Sequence, residues 1–182
     1  MILSILIVGS GPAGCYVIDH LLKSEYSLSI DVIDKNPYPF GLIRTGVAPD
    51  HQRIKSLQSY FEKILDNETV NFFSNVEFGV DVTYEDVKNA YHAIFICTGS
   101  ATDNKHEKLD YSHHLNCGSL QLVNWYNGHP HNHNAFNPDF LGKKIGIIGL
   151  GNVALDIARI FLKSPHDLKS TEIPNEVLTC LE

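Results

Sequence analysis

Two glycine-rich turns hold most of the chemistry in this sequence. The first is Gly9-Ser10-Gly11-Pro12-Ala13-Gly14, between the apolar run Ile2 to Val8 and a helical stretch reaching about Leu22. In that context G-x-G-x-x-G predicts a dinucleotide site. Gly9 permits the tight turn. Gly11 lets backbone approach a pyrophosphate seated on the positive helix N-terminus, and Gly14 lets the helix lie close to its strand. Asp34 follows Gly14 by 20 residues, at the end of a second predicted strand, where an acid would accept hydrogen bonds from an adenosine ribose. The second turn is Gly149-Leu150-Gly151-Asn152-Val153-Ala154, after the predicted strand Lys144 to Ile148; alanine in the last place is an allowed variant. It predicts a second nucleotide. The residue that reads a 2′-phosphate belongs at the end of the next strand, and the 28 residues after Ala154 contain no convincing strand.

Weaker signals lie between the turns. The apolar strand Ala93 to Cys97 ends in Thr98-Gly99, a turn that lets backbone pass close to a nucleotide. The segment from Pro37 to His51 is long for a strand-to-helix connection, and such loops are functional or disordered. Its apolar residues argue against disorder and predict packing against a planar ligand. Six of the ten histidines fall within 106–133, with Pro and Asn interleaved. They read as a solvated loop, and no metal is expected. No nucleophile–base arrangement is evident, as befits a protein whose cofactor does the chemistry.

Buried strands and amphipathic helices must position these turns. Leu28 to Ile33 reads as a strand with Asp31 its polar exception, and Ser4 is the exception in the first strand. His51 to Asp66 reads as one amphipathic helix, with Ile54, Leu57, Phe61, Ile64 and Leu65 on its apolar face. Val70 to Phe73 and Val76 to Phe78 are short strand candidates, and Thr83 with Asp86 marks a capped helix start. Helices are predicted over Ser119 to Asn127 and Asn152 to Lys163, and another over Thr171 to Glu182. The alternation predicts an α/β fold with parallel sheets. At 182 residues the chain has room for a core, and a net charge of −7 disfavours nucleic acid as a partner. No apolar run is long enough to span a membrane. The four cysteines form no C-x-x-C pair and read as reduced thiols of an intracellular protein.

The first turn, the long loop, Trp125-Tyr126-Asn127-Gly128 and the run Gly151 to Arg159 together resemble the adrenodoxin reductase family, NADPH-dependent ferredoxin reductases of the glutathione-reductase-like type. The likeness runs from Ile5 to the C-terminus and is weakest over 100–118. It implies two Rossmann-like nucleotide-binding modules, both incomplete: 1–104 as the first half of a discontinuous FAD-binding domain and 105–182 as the start of an NADP-binding one. Electrons would pass from NADPH through FAD to a two-iron ferredoxin. The alternatives are a nucleotide-binding remnant without turnover and a glutamate-synthase-like electron-transfer subunit. An N-terminal fragment of this kind is expected not to oxidise NADPH unaided.

Residue by residue, the resemblance implies that Gly9, Gly11, Pro12, Ala13 and Gly14 hold the FAD pyrophosphate. Asp34 stands where the family usually has Glu. Leu42 would touch FAD from the long loop, and Phe78 stands where the family presents backbone to adenine, usually from a smaller aliphatic residue. Thr98 and Gly99 would pass beside the flavin nucleotide. Gly149, Leu150, Gly151, Asn152 and Val153 would contact the NADP pyrophosphate; the position of Leu150 is often Gln. His51, with Asp156, would act beside the flavin. The arginines for the 2′-phosphate and the Trp-Gly segment beside the flavin ring have no counterpart. An acidic ferredoxin would need a basic docking face, for which Arg44, Arg53 and Lys55 are the local candidates. The family implies mitochondria, although no presequence is visible; otherwise the cytoplasm is expected.

Overall fold

A computed structural model of the chain describes residues 1–130, 136, 138–140 and 143–182. It divides into two compact units, one formed by Met1–Arg44 with Arg53–Ala101, the other by Thr45–Gln52 with Thr102–Glu182. The end of the long loop, from Thr45 to His51, and Gln52 after it, expected to belong to the first module, thus join the second unit.

The first unit is a parallel sheet with helices. Its strands are β1 (Leu3–Val8), β2 (Leu28–Asp34), β3 (Val70–Ser74) and β4 (Ala93–Ile96), in the spatial order β3-β2-β1-β4. Register runs Ile5 to Ile30 and to Ala93, so β1 lies at the centre. Ile5, Leu6, Ile7, Ile30 and Val32 are buried, as a strand covered on both faces requires. Each such side chain contributes about 1.5–3 kcal/mol by leaving water. The polar exceptions are accounted for. Asp31 accepts from the Tyr91 hydroxyl at 2.7 Å and from Asn71 Nδ2 at 2.9 Å, and the Ser4 amide donates to His92 Nδ1 at 3.0 Å. Burial, with Asp31 beside it, pushes the Tyr91 phenol up to about 12.

Helix α1 (Pro12–Leu22) starts with proline in its first turn and buries Gly14, Cys15 and Ile18. The helix expected over His51 to Asp66 is broken. It forms as α3 (Gln52–Lys55) and α4 (Leu57–Leu65), after a single turn, α2 (Leu42–Thr45). Between them the Ser56 hydroxyl donates to the Arg53 carbonyl at 2.8 Å, drawing that carbonyl from the helical ladder. Ile54, counted on the apolar face, is 41% exposed, while Phe61 and Ile64 are buried. Phe61 meets Tyr16 edge-on at 5.3 Å and Phe40 of the long loop at 6.2 Å. Thr83 and Asp86 form the reciprocal cap of α5 (Tyr84–Val87), as read. Just after β3 the Val76 amide donates to the Asp34 carbonyl at 3.0 Å and Phe78 forms an isolated bridge to Val82, but no strand forms over Val76 to Phe78. β4 is an edge strand rather than a buried one, and Ile96 is 57% exposed.

The second unit is helical among its described residues. It contains α6 (Ser119–Tyr126), α7 (Asn152–Leu162), α8 (Pro165–Leu168) and α9 (Asn175–Leu181). The sequence reading missed α8, whose start the Ser164 hydroxyl caps, and began the last helix early; Pro174 sets its N-terminus. The core joins Ala48, Leu122, Trp125, Tyr126, Ile157 and Ile160 to residues of α8 and α9. Phe136 and Phe140 meet Trp125 edge-on at 6.1 and 5.6 Å. The strand expected over Lys144 to Ile148 does not form: no ladder pairs there among the described residues, and Ile148 is 69% exposed. A strand exists only against a hydrogen-bonded neighbour. No described helix is long and apolar enough to cross a membrane.

A carboxylate remote in sequence caps α6. Asp103 accepts from the Leu120 amide at 2.7 Å and from the Gln121 amide at 3.2 Å, while Gly118 at the cap position offers no side chain. Asp103→Ala should lower the stability of this unit by about 1–2 kcal/mol, several degrees in melting temperature. An unchanged melt followed by circular dichroism would show that the cap contributes nothing.

Candidate nucleotide sites

The first turn lies where the sheet order reverses, between the carboxyl ends of β1 and β4, the place where open α/β sheets bind ligands. Gly9 has φ +103°, and a Cβ there would sit 2.4 Å from the Cys97 carbonyl oxygen. A Cβ at Gly14 would sit 2.0 Å from the Gly9 carbonyl oxygen, so the close approach of α1 to its strand depends on that glycine. Gly11 is different: the nearest atom to its would-be Cβ is Gly41 Cα, at 3.9 Å. No side chain caps α1, and in its first turn the amides of Ala13 and Gly14 have no intrahelical acceptor. An open approach to uncapped amides fits a pyrophosphate. Thr98 and Gly99 follow β4 on the same side and are exposed; Gly99 has φ +67° and nothing within 4 Å of its would-be Cβ.

Asp34 is buried at the end of β2. Its Oδ2 accepts from the Ser10 amide at 2.9 Å and the Ser10 hydroxyl at 2.6 Å. Its Oδ1 accepts from the Asn36 amide at 2.9 Å and from Asn36 Nδ2 at 3.1 Å. A carboxylate has about four lone-pair positions, and here the protein fills them. Asp34 therefore ties the glycine turn to β2, a role that sequence spacing did not suggest. Ser10 and Asn36 were missed; polar residues flanking the turn and the strand end were the only signal. Asp34→Ala should leave the buried Ser10 donors without an acceptor and destabilise the first unit by about 2–3 kcal/mol. A thermal midpoint equal to that of the parent would refute this anchoring role.

The long loop packs on protein more than it lies open. Phe40 and Ile43 are buried, while Leu42 between them is 56% exposed. Phe40 has φ +84°. Arg44 lies over the Tyr38 ring at 4.9 Å. Lys55 is buried and donates to the Arg44 carbonyl at 3.1 Å. Of the three cations offered as a docking face, Arg53 is exposed and Arg44 half-buried; Lys55 is buried and braces the loop instead. The side chain of Phe78 packs against the cluster of Leu6, Val8, Ile33 and Val87. Cys15 is buried, its thiol pushed up to about 12 chiefly by that burial, which makes it an inert core residue.

The second turn opens α7. Gly149 has φ +132°, Gly151 is the uncapped N-cap with nothing near a would-be Cβ, and Leu150 is 92% exposed. Asn152 and Val153 form the first exposed turn of the helix. These open amides again suit a phosphate. One turn further, Asp156 Oδ2 lies 3.6 Å from His51 Nδ1, so the structure brings together the two residues named for the flavin side. Arg159, which the sequence reading did not single out, donates from Nη1 to Asp156 at 2.8 Å and from Nε and Nη2 to Asp50 at 2.7 and 2.9 Å. Spacing of three along a helix could have paired Arg159 with Asp156; Asp50 was beyond such reasoning. Among the described residues no group of three or more His, Cys, Asp or Glu could hold a metal, and His131 and His133 lie outside them.

Comparison with known proteins agrees with this architecture. The family model described as pyridine nucleotide-disulphide oxidoreductase matches residues 3–178. The NADPH:adrenodoxin oxidoreductase, mitochondrial, of Bos taurus is 40% identical over 180 residues, covering 97% of this chain and 36% of that protein. Its counterpart in Arabidopsis thaliana is 38% identical over 181 residues, with 99% and 37% covered. A probable ferredoxin/ferredoxin--NADP reductase of Mycobacterium tuberculosis is 37% identical, covering 98% of the chain and 31% of the relative. The solved structure of Mycobacterium tuberculosis FprA in complex with NADPH superposes with a TM-score of 0.94 at 35% identity, over all of this chain and 41% of that one. The chain therefore spans under half the length of these relatives. It belongs to the pyridine nucleotide-disulphide oxidoreductase family and, within it, is similar to NADPH:adrenodoxin oxidoreductases.

Proposed function

We propose that this chain forms the nucleotide-binding part of a flavoprotein reductase that takes electrons from NADPH through FAD to a ferredoxin of the adrenodoxin type. The observation that favours it most is the first turn: a glycine-lined, uncapped helix N-terminus at the point where the strand order reverses. FAD, when bound, supplies the conversion of a two-electron hydride into single electrons. The residues of 1–104 hold it: Gly9, Gly11, Pro12, Ala13 and Gly14 take the pyrophosphate, and the ribose meets the cluster of Asp34, Ser10 and Asn36. Leu42, Phe78, Thr98 and Gly99 border that nucleotide. In 105–182 the amides from Gly149 to Val153 take the NADP pyrophosphate. His51 and Asp156 hold and exchange a proton at the imidazole.

The test is a titration of the 182-residue chain with FAD, followed by flavin fluorescence. Saturable binding at one FAD per chain is expected, and a chain that binds none at micromolar concentration refutes the reading. Mitochondria are the compartment proposed, by likeness to the mitochondrial relatives of Bos taurus and Arabidopsis thaliana. Fractionation with the cytosol would overturn that assignment alone.

A further inference from the structure

Arg159, Asp50 and Lys163 have no part in the function just proposed, yet they surround the one pair of side chains in it that can exchange a proton. We infer that Arg159 is a positioning residue: its guanidinium fixes the Asp156 carboxylate so that it accepts the Nδ1–H of His51 and leaves Nε2 as the free base. This rests on the proposed role of His51.

The geometry is that of a fork between two acids. Nη1 donates to Asp156 Oδ1 at 2.8 Å, while Nε and Nη2 grip both oxygens of Asp50 at 2.7 and 2.9 Å. The Asp50 side chain is only 5% exposed and takes a further bond from Lys163 Nζ at 2.8 Å. Asp50 immediately precedes His51 in the chain, and the His51 amide donates to the Ala48 carbonyl at 2.9 Å. Ala48 is itself packed in the core with Ile157 and Ile160. The same guanidinium thus fixes both partners: the segment bearing His51 through Asp50, and the acid facing it through Asp156.

With one oxygen of Asp156 held by Arg159, the other is turned to His51 Nδ1, 3.6 Å away. Catalytic contacts are often this long before a ligand is bound. A carboxylate at Nδ1 selects the Nδ1–H tautomer and orients the ring. Asp156 of α7 is the charged group against His51; behind it lie Arg159, Asp50 with Lys163, and the buried Tyr126 phenol of α6, which senses Asp156, Arg159 and Asp50. A lysine at position 159 would be a point charge without a fork and could not span both acids.

The experiment is nitrogen-15 NMR of the histidine-labelled 182-residue chain at about pH 8, above the ordinary titration range of a free imidazole. The His51 resonances are identified by their loss in His51→Gln. The wild-type chain should show His51 chiefly as Nδ1–H. Arg159→Gln should move the tautomer ratio about tenfold toward Nε2–H, the loss of one oriented charged hydrogen bond. Arg159→Lys should move it in the same direction. Should Arg159→Gln fail to fold, Arg159→Lys and Asp50→Asn carry the test, since each retains a polar side chain in place. A wild-type His51 that is mainly Nε2–H, or an unchanged ratio in a folded variant, overturns the inference. The measurement needs no nucleotide. A chain that passes it yet binds no FAD refutes the proposed function and leaves the positioning of His51 intact.

Discussion

Gly11→Ala should leave the first unit folded and weaken FAD binding at least about 100-fold, about 2.7 kcal/mol. The three glycines of the turn are not equivalent. A methyl at Gly9 or Gly14 would overlap backbone at 2.4 or 2.0 Å, so those variants would damage the fold and say little about ligand. At Gly11 the backbone has φ −69° and ψ −177°, open to any residue, and the nearest atom to a Cβ lies 3.9 Å away. Alanine there fits the protein. It fills the space before the free amides of Ala13 and Gly14, where a pyrophosphate must come within hydrogen-bonding distance. Gly11→Val, with more bulk, should bind less still. Flavin fluorescence titration beside a thermal melt separates the two effects. Parental FAD affinity in a variant that melts with the parent would mean that this turn does not hold the pyrophosphate.

How far sequence reached is best seen by comparing the two turns. Around the first, the strand, turn, helix and second strand were all legible, because the turn and helix follow a local pattern and β1 finds one ladder partner, β2, within the first 34 residues. The burial of β1 and β2 followed from their runs of Ile, Leu and Val. Around the second, the strand over Lys144 to Ile148 was equally apolar, yet it pairs with nothing among the described residues. Periodicity reports which residues can form a strand; the ladder decides whether one forms. The site followed the same division. Glycines and their spacing were readable because their purpose is local. The hold of Asp34 on Ser10 spans 24 residues and that of Arg159 on Asp50 spans 109, and neither has a pattern along the chain. Lys55 shows the converse: it was expected on an exposed basic docking face, whereas a carbonyl of the folded loop draws it inside.

Asp50→Asn should weaken the second unit by about 2–3 kcal/mol at neutral pH and flatten its response to acid. Asp50 is nearly buried, and removing its charge leaves Arg159 and Lys163 turned toward an amide that can accept only part of what they donate. Breaking a buried pair on one side is worth about 3–5 kcal/mol; with both cations about one-third exposed, water recovers part of that. The hydrogen bonds from Arg159, against the opposing effect of burial and with help from Lys163, hold the Asp50 carboxyl well below the usual carboxylate range. A carboxyl whose folded value is depressed stabilises the fold above its unfolded value, near 3.9, and loses that contribution as pH falls toward the folded value. The parent's second unit should therefore hold its stability down to about pH 4 and lose it steeply below. Asp50→Asn should begin lower at pH 7 and lose less between about pH 4 and pH 2, so that the two melting curves converge in acid. Thermal melts across that range, followed by the near-ultraviolet signal of Trp125, report on this unit directly, because Trp125 lies in its core. A variant whose melting temperature stays a constant interval below the parent at every pH would show that the Asp50 charge is not what Arg159 and Lys163 hold.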